Sequence, residues 1–450
     1  MKTLRIAASL ATLLLAACDV DVPDLNRPGL ESLQNPTPSQ VGSLATGLVI
    51  GARPGITGRV GVVTELGILG HEALVLTTSE PRFVSELLQS TNLDSGSPNF
   101  GGNFWVIPYQ NIRNANLLLD ALPKVVGLTD TQKESMRGFA KTMMALDLLQ
   151  VINAHDASGA PIDVNLPLGQ VAPIAGKTQV FARIAQLLDE ANTHLTNGGT
   201  AFPFPLGSGF TGFNTPATFR PFNRALMARV EVYRGNYSNA LIALSASFVD
   251  PKLPGGTMGA GSTLNTGVYH AFGSGSGDTP NALNTTDIFA HPSVFVDAEL
   301  QTDGVTKDKR VVNKVKAVSP VSLFNHSSGF AFTLYPNSDS PIAMIRNEEL
   351  ILLRAEANIG LSNLGAAQQD IDFIRTSSGG LAAAPALTAG NALDELLKQK
   401  RFSLLFEGGH RWIDLRRYGR LTTTYLPPDQ PEDKIHSSFP IPLPEQEARR

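Results

Sequence analysis

The side chains in this sequence that could do chemistry are a few carboxylate pairs, scattered histidines, one cysteine and a glycine–serine run. The pairs are Asp19/Asp21, Glu348/Glu349 and Asp370/Asp372. Two carboxyls roughly 5–10 Å apart across a cleft would suit glycoside hydrolysis. Each pair also has a simpler role: the first sits in a polar stretch near the start, the second opens a helix, and the third lies on a helix whose other face packs. The histidines at 71, 155, 194, 270, 291, 326, 410 and 436 show neither His-x-x-x-His nor a Glu-paired spacing, so no metal and no cofactor is expected. Gly273-Ser274-Gly275-Ser276-Gly277 does not join a strand to a helix carrying a lysine, which argues against a phosphate loop. No Gly-x-Ser-x-Gly elbow occurs. No catalytic residue is nominated, and an enzyme is not the expectation, although spacing alone leaves a surface glycosidase open as a third reading.

The cysteine has a more specific meaning. It is Cys18, preceded by Lys2, Arg5, an apolar run from Ile6 to Ala17 and the tetrapeptide Leu15-Ala16-Ala17-Cys18. A charged start, a short apolar stretch and small residues at the cut describe a secretory signal over 1–17, too short for a membrane span of about 20 residues. Leu-Ala-Ala-Cys resembles a bacterial lipobox, in which the cysteine is acylated and becomes the first residue. The plainer alternative is a secreted protein with a cysteine beside its cleavage site. Residues 18–38, with Asp19, Asp21, Pro23, Asp24 and Pro28, read as a lipid-anchored tether. Acidic residues after such a cysteine resemble surface-export tags in some Gram-negative groups and inner-membrane retention signals in others, so the tether alone does not choose the face.

Composition narrows the class. At 42% hydrophobic and 17% charged, the 450 residues are those of an ordinary folded protein. A formal charge of −4 is too balanced for a protein that holds nucleic acid by phosphate neutralisation.

The elements that must position any site are mainly helical. Apolar spacing predicts helices over Ser39–Ile50, Gly61–Leu76, a stretch through Trp105, Tyr109, Ile112, Ala115, Asn116 and Leu119, and Thr131–Ile152 with Thr129 as cap and Gln132 three residues on. Further helices are predicted over Thr178–Asn197, Asn223–Tyr233, Tyr237–Ala246 and Glu348–Ile359, then through Ala366 to Arg375, and over Asn391–Glu407 ended by Gly408. Ala228, Tyr233, Gly235, Tyr237 and Ala240 resemble a tetratricopeptide repeat, but no 34-residue period links the pairs, so the repeats are degenerate. One body over 39–450 is expected, with insertions at about 199–222 and 250–341 rich in Gly, Pro, Ser, Asn and aromatic residues. Thr306–Ala317, with alternating Val and Lys, is expected to supply a small strand or two.

The C-terminal stretch carries the strongest resemblance. Leu352-Leu353-Arg354-Ala355-Glu356-Ala357, Ile371-Asp372-Phe373-Ile374-Arg375, the run Gln399 to Arg417 containing Phe406-Glu407-Gly408-Gly409-His410-Arg411-Trp412-Ile413-Asp414-Leu415-Arg416-Arg417, and Phe439-Pro440-Ile441-Pro442 follow one another. This order resembles the SusD/RagB family of outer-membrane nutrient-binding lipoproteins. Gly409 is an extra glycine relative to the family's usual form, Ile413 replaces an aromatic residue, and Ser403 stands where an acidic residue is usual. The motif itself reads as structural: a buried Trp412, with Asp414 pairing to Arg411, Arg416 or Arg417 across two helix ends.

The resemblance implies a mostly α, SusD-like fold with degenerate tetratricopeptide-like helix pairs and long loop insertions carrying little β. It also implies a lipid-anchored outer-membrane protein, facing the cell exterior, that binds a glycan or peptide and delivers it to a TonB-dependent, SusC-like transporter. Sugar would be held by aromatic faces and by Asn, Asp, Gln or Arg side chains. The family's ligand residues lie in variable loops, so composition selects the candidates: Phe100, Asn103, Phe104 and Trp105 in one Gly-flanked cluster, and Tyr269, Phe272, Asn325, Phe330 and Tyr335 in the long insertion. Packing of these rings on the helical body is the competing reading for each. The competing function is a lipid-anchored helical-repeat scaffold for outer-membrane protein assembly.

Overall fold

The computed structural model describes residues 34–167, 169–250, 263–275 and 278–450. The leader, Cys18, the Asp19/Asp21 pair, most of the tether, and Ser276 and Gly277 of the glycine–serine run lie outside the described residues.

The helices begin where local chemistry says they should. Thr37 caps α1 (Pro38–Gly51), accepting the Gln40 N–H while the Gln40 side chain takes the Thr37 N–H at 2.8 Å. After α2 (Val62–Leu69) and α3 (Asn103–Ala121), the expected Thr129–Gln132 capping box opens α4 (Asp130–His155), with its reciprocal bonds at 3.2 and 2.9 Å. Then come α5 (Lys177–Thr196), α6 (Pro216–Tyr233), α7 (Tyr237–Ser245), α8 (Lys309–Lys314), α9 (Asn347–Gly360), α10 (Leu364–Phe373), α11 (Ala392–Ser403) and α12 (His410–Arg417). Helices α3 to α7 pack successively on one another, and α9 lies against α7, α10 and α11, so sequence neighbours are space neighbours, as short antiparallel connections dictate. Ala228 and Ala240, read as close-contact positions, are fully buried. Among the described residues no helix is long and apolar enough to cross a membrane.

Six strands concern the site: β1 (Ala73–Val75), β2 (Gly267–His270), β3 (Ile288–Ala290), β4 (Val315–Leu323), β5 (His326–Phe332) and β6 (Ile342–Arg346). The order β1-β3-β5-β4 makes one antiparallel sheet, and β2 pairs with β6. The mostly α fold with little β is as expected, but boundaries differ where distant partners intervene. The predicted Gly61–Leu76 helix stops at Leu69, turns through His71 (φ +51°), and becomes β1 because Ala73–Val75 pairs with Ile288–Ala290. The 306–317 segment yields a helix first: Asp308 caps α8, and the strand begins only at Val315. The helix expected from Asn223 starts at Pro216, where Thr215 caps it and a proline in the first turn costs no hydrogen bond. The Asn391–Glu407 helix ends at Ser403, before Gly408, because Phe406 takes a left-handed backbone (φ +58°).

The aromatic insertions feed the core. Phe202, Phe204 and Phe219 surround Phe139 with ring centroids 6.0, 4.9 and 5.4 Å away, so the 199–222 segment is cemented to α4. A second apolar cluster gathers Leu66, Leu74, Phe83, Phe100, Phe104, Phe406, Trp412 and Phe439 beneath the sheet.

Candidate functional site

The C-terminal motif builds a buried frame. Trp412 is fully buried, donates its indole N–H to the His436 carbonyl at 2.8 Å, and carries the Arg416 guanidinium over its ring at 4.3 Å. Of the three expected partners, Asp414 pairs with Arg417 at 2.6 Å; its other oxygen takes Lys400 at 2.6 Å. Arg411 and Arg416 instead donate to the carbonyls of Tyr425 and Asn153. Lys400 and Arg417 also clamp Glu356, whose carboxyl burial pushes up but those two cations hold down at about 2.

The carboxylate pairs on α9 and α10 are spent in the same way. Glu349 receives two nitrogens of Arg229 at 2.6 and 2.7 Å, Glu348 pairs with Arg346 at 2.5 Å, and Asp370 pairs with Arg354. Burial raises the Glu348 and Glu349 carboxyls, and the arginines outweigh it, leaving both below the ordinary range. A general acid needs the opposite shift, and of these carboxyls only Asp370 has it, raised by burial against the opposing Arg354 that already engages it.

Beside this frame opens a cleft of about 590 Å³, walled by β2, α8, the segment leading into β6 and the turn after α10. Its floor is a closed charge cluster. Arg346 binds Glu407 and Glu348; Lys314 binds Glu407 at 2.7 Å; Ser378 donates to Glu348 at 2.6 Å. Two cations meet two anions, so the floor is polar without a large net charge. The Tyr335 hydroxyl donates to the Phe406 carbonyl at 2.9 Å and its ring is buried in the second apolar cluster, whereas Tyr269, whose hydroxyl donates to the Asn265 carbonyl, is half-buried and lines the opening. Burial pushes both phenols above their ordinary range, so both stay protonated. On the rim, Asn265, Lys309, Asn313 and Ser377 are exposed, and no hydrogen bond among the described residues engages the side-chain amides of Asn265 and Asn313.

The structure divides the candidates read from composition. Tyr269 and Tyr335 meet in this cleft. Phe100 and Phe104 are buried, edge-on to Phe83 and Phe439 at 5.2 Å each, and Asn103 is half-buried at the start of α3. Trp105 is 4% exposed, packs on His155, and lines a separate recess of about 410 Å³ with Tyr109, Arg113 and Gln170. Phe272 is buried, Phe330 stacks on Phe295 at 4.7 Å, and Asn325 stands exposed at the tip of the β4–β5 hairpin. The two composition clusters therefore do not form one surface. Asn265, Lys309, Asn313 and Ser377 went unnoticed because single polar residues, in a loop or on the short helix α8, carry no spacing signal.

Residues 324–446 match the family model described as the SusD family. No curated protein matches the chain. A SusD-like carbohydrate-binding protein from Bacteroides fragilis superposes with a TM-score of 0.71 at 14% identity, covering 93% of this chain and 99% of that one. A laminarin-binding SusD-like protein gives 0.67 at 20% identity, and surface glycan-binding protein A from Bacteroides uniformis 0.67 at 16%, each covering 91% of this chain and 97% of the other. The fold is SusD-like over nearly the whole described chain. Its C-terminal part carries the SusD family's own sequence pattern, as the motif around Phe406 and Trp412 implied.

Proposed function

We propose that this protein captures glycan at the outer surface of an outer membrane and passes it to a TonB-dependent transporter of the SusC-like kind. Residues 39–450 act as one SusD-like body, and a lipid on Cys18 tethers it through residues 18–38. The observation that carries the binding role is the cleft: the ring of Tyr269 beside the unengaged amides of Asn265 and Asn313, over a floor whose charges are already paired. An aromatic face suits the apolar side of a pyranose, and free amides suit its hydroxyls. The likeness to structures named as glycan, laminarin and carbohydrate binders supports the same reading. Binding without turnover is favoured because Glu348, Glu349 and Asp370 are each committed to an arginine, while Asp372 takes the Gln368 amide and the Ala384 N–H.

The test is a binding screen of the 19–450 chain against plant, microbial and host polysaccharides and peptides, with product analysis on the same samples. Retention of a glycan without cleavage, weakened about tenfold or more by Tyr269→Ala or Asn313→Ala, is the expected result. Unchanged affinity in both variants removes the cleft from the site, released sugar overturns the binding role, and capture of an assembly partner with no glycan retained favours the scaffold.

A further inference from the structure

The β4–β5 hairpin turn and the segment 429–433 bring together one imidazole and two carboxylates that no sequence spacing connects; His326 and Asp433 are 107 residues apart. The His326 side chain is fully buried, and its Nδ1 lies 2.9 Å from the Phe324 carbonyl. A carbonyl only accepts, so Nδ1 carries the proton and Nε2 of the neutral ring keeps its lone pair. That lone pair faces Asp433 Oδ2 at 3.2 Å, one acceptor against another. Asp433 Oδ2 also takes the Gln430 N–H at 2.9 Å, while its Oδ1 is buried with no hydrogen-bond partner, and the side chain is only 5% exposed. A proton on Nε2 would relieve the first conflict and leave Oδ1 unpaired.

The second carboxylate, Asp429, is held ready from behind. His291 Nδ1 accepts the Ser293 N–H at 3.2 Å, which places its proton on Nε2, and Nε2 donates to Asp429 Oδ2 at 2.9 Å. His71 stacks on the His291 ring at 4.8 Å and fixes its plane. Carboxylates that ligate a metal are themselves held by a hydrogen bond from behind, and His291 supplies one to Asp429. One ligand atom from each of His326, Asp429 and Asp433 lies within 4.8 Å of the others. Ligands about 2.0–2.2 Å from a shared ion stand about 3–3.5 Å apart, which the His326–Asp433 separation already meets.

We propose that His326 Nε2, Asp433 and Asp429 bind a divalent first-row cation, for which Zn²⁺ and Mn²⁺ are the probes. One imidazole with two carboxylates suits such ions, and the partial exposure of Asp429 leaves room for entry and for water ligands. The ion would pin the 429–433 segment to the hairpin, where Gln430 already donates to the Asn325 carbonyl at 2.7 Å.

The test uses the full-length chain without a polyhistidine tag, stripped with chelator and titrated with Zn²⁺ and with Mn²⁺ by calorimetry. One equivalent bound at micromolar affinity or tighter is expected, weakened tenfold or more in Asp429→Asn and in His326→Gln, and unchanged in His194→Gln on a distant helix. No binding of either ion overturns the site. So does equal affinity in Asp429→Asn when its circular dichroism matches the parent. Asp429 is the more exposed ligand, so this variant decides the matter even where His326→Gln fails to fold.

Discussion

Arg346 grips Glu407 with two nitrogens, Nε to Oε2 at 2.7 Å and Nη2 to Oε1 at 2.9 Å. The first residue ends β6 and the second sits in the turn between α11 and α12, so this fork ties the end of a strand to the motif that resembles the SusD family. Both side chains are nearly sealed from water, and Lys314 completes the cluster beneath the cleft.

Breaking that fork leaves two buried cations without their shared anion. Glu407→Gln is expected to lower stability by about 3–5 kcal/mol, the usual cost of removing one partner from a buried pair. Denaturant unfolding monitored by circular dichroism checks this; an unchanged midpoint would show that the cluster relaxes freely.

Acid should unfold the protein through the same groups. Burial pushes Glu407 up, but Arg346 and Lys314 outweigh it and hold the carboxyl at about 2, against an ordinary value of 4.5. The native carboxylate therefore binds fewer protons than the unfolded one between those values. Its contribution is complete above pH 4.5 and disappears as pH falls toward 2. Melting temperature measured across that range is expected to drop steeply, with a shallower slope in Glu407→Gln; parallel curves would contradict the assignment.

Glu72 acts in the opposite direction. Burial raises its carboxyl to about 8, with Arg411 opposing, so the native state keeps a proton that the unfolded chain loses. Stability from this residue is complete below pH 4.5 and falls as pH rises through 8. In Glu72→Gln the decline of melting temperature between pH 5 and 8 should flatten, and a parent-like decline would assign it elsewhere.

Gly409, the extra glycine of the motif, is required by its surroundings. Its φ is +72°, and a Cβ there would sit 2.1 Å from the Leu66 Cβ. Gly409→Ala is expected to cost about 2–4 kcal/mol from left-handed backbone and overpacking together. Gly419→Ala, with φ +65° and open space around it, should cost only about 1 kcal/mol. Equal losses in the two variants, compared by chemical denaturation, would remove the packing argument.

How much was legible beforehand follows from the range of each signal. The capping box of Thr129 and Gln132 and the apolar stripes of α4 and α5 are contacts within a few residues, so their helices could be read to within a few residues. The order of residues from Leu352 to Pro442 likewise pointed to the SusD-like fold. The strand at Ala73–Val75 could not be read, because its partner Ile288–Ala290 is remote in sequence and local spacing favoured helix. Aromatic content marked the insertions correctly as more than linkers, yet could not tell Phe104, sealed against Phe439, from Tyr269, turned to a cleft.

The sequence by itself determined the helical framework and the motif, since each rests on neighbours along the chain. Only the tertiary structure decided which rings face solvent, which carboxylates are neutralised by arginines, that Asn265 and Asn313 line one cleft, and that His326 meets Asp433. Those outcomes depend on burial and on distances between residues far apart in the chain, and neither is encoded in the spacing around a single residue.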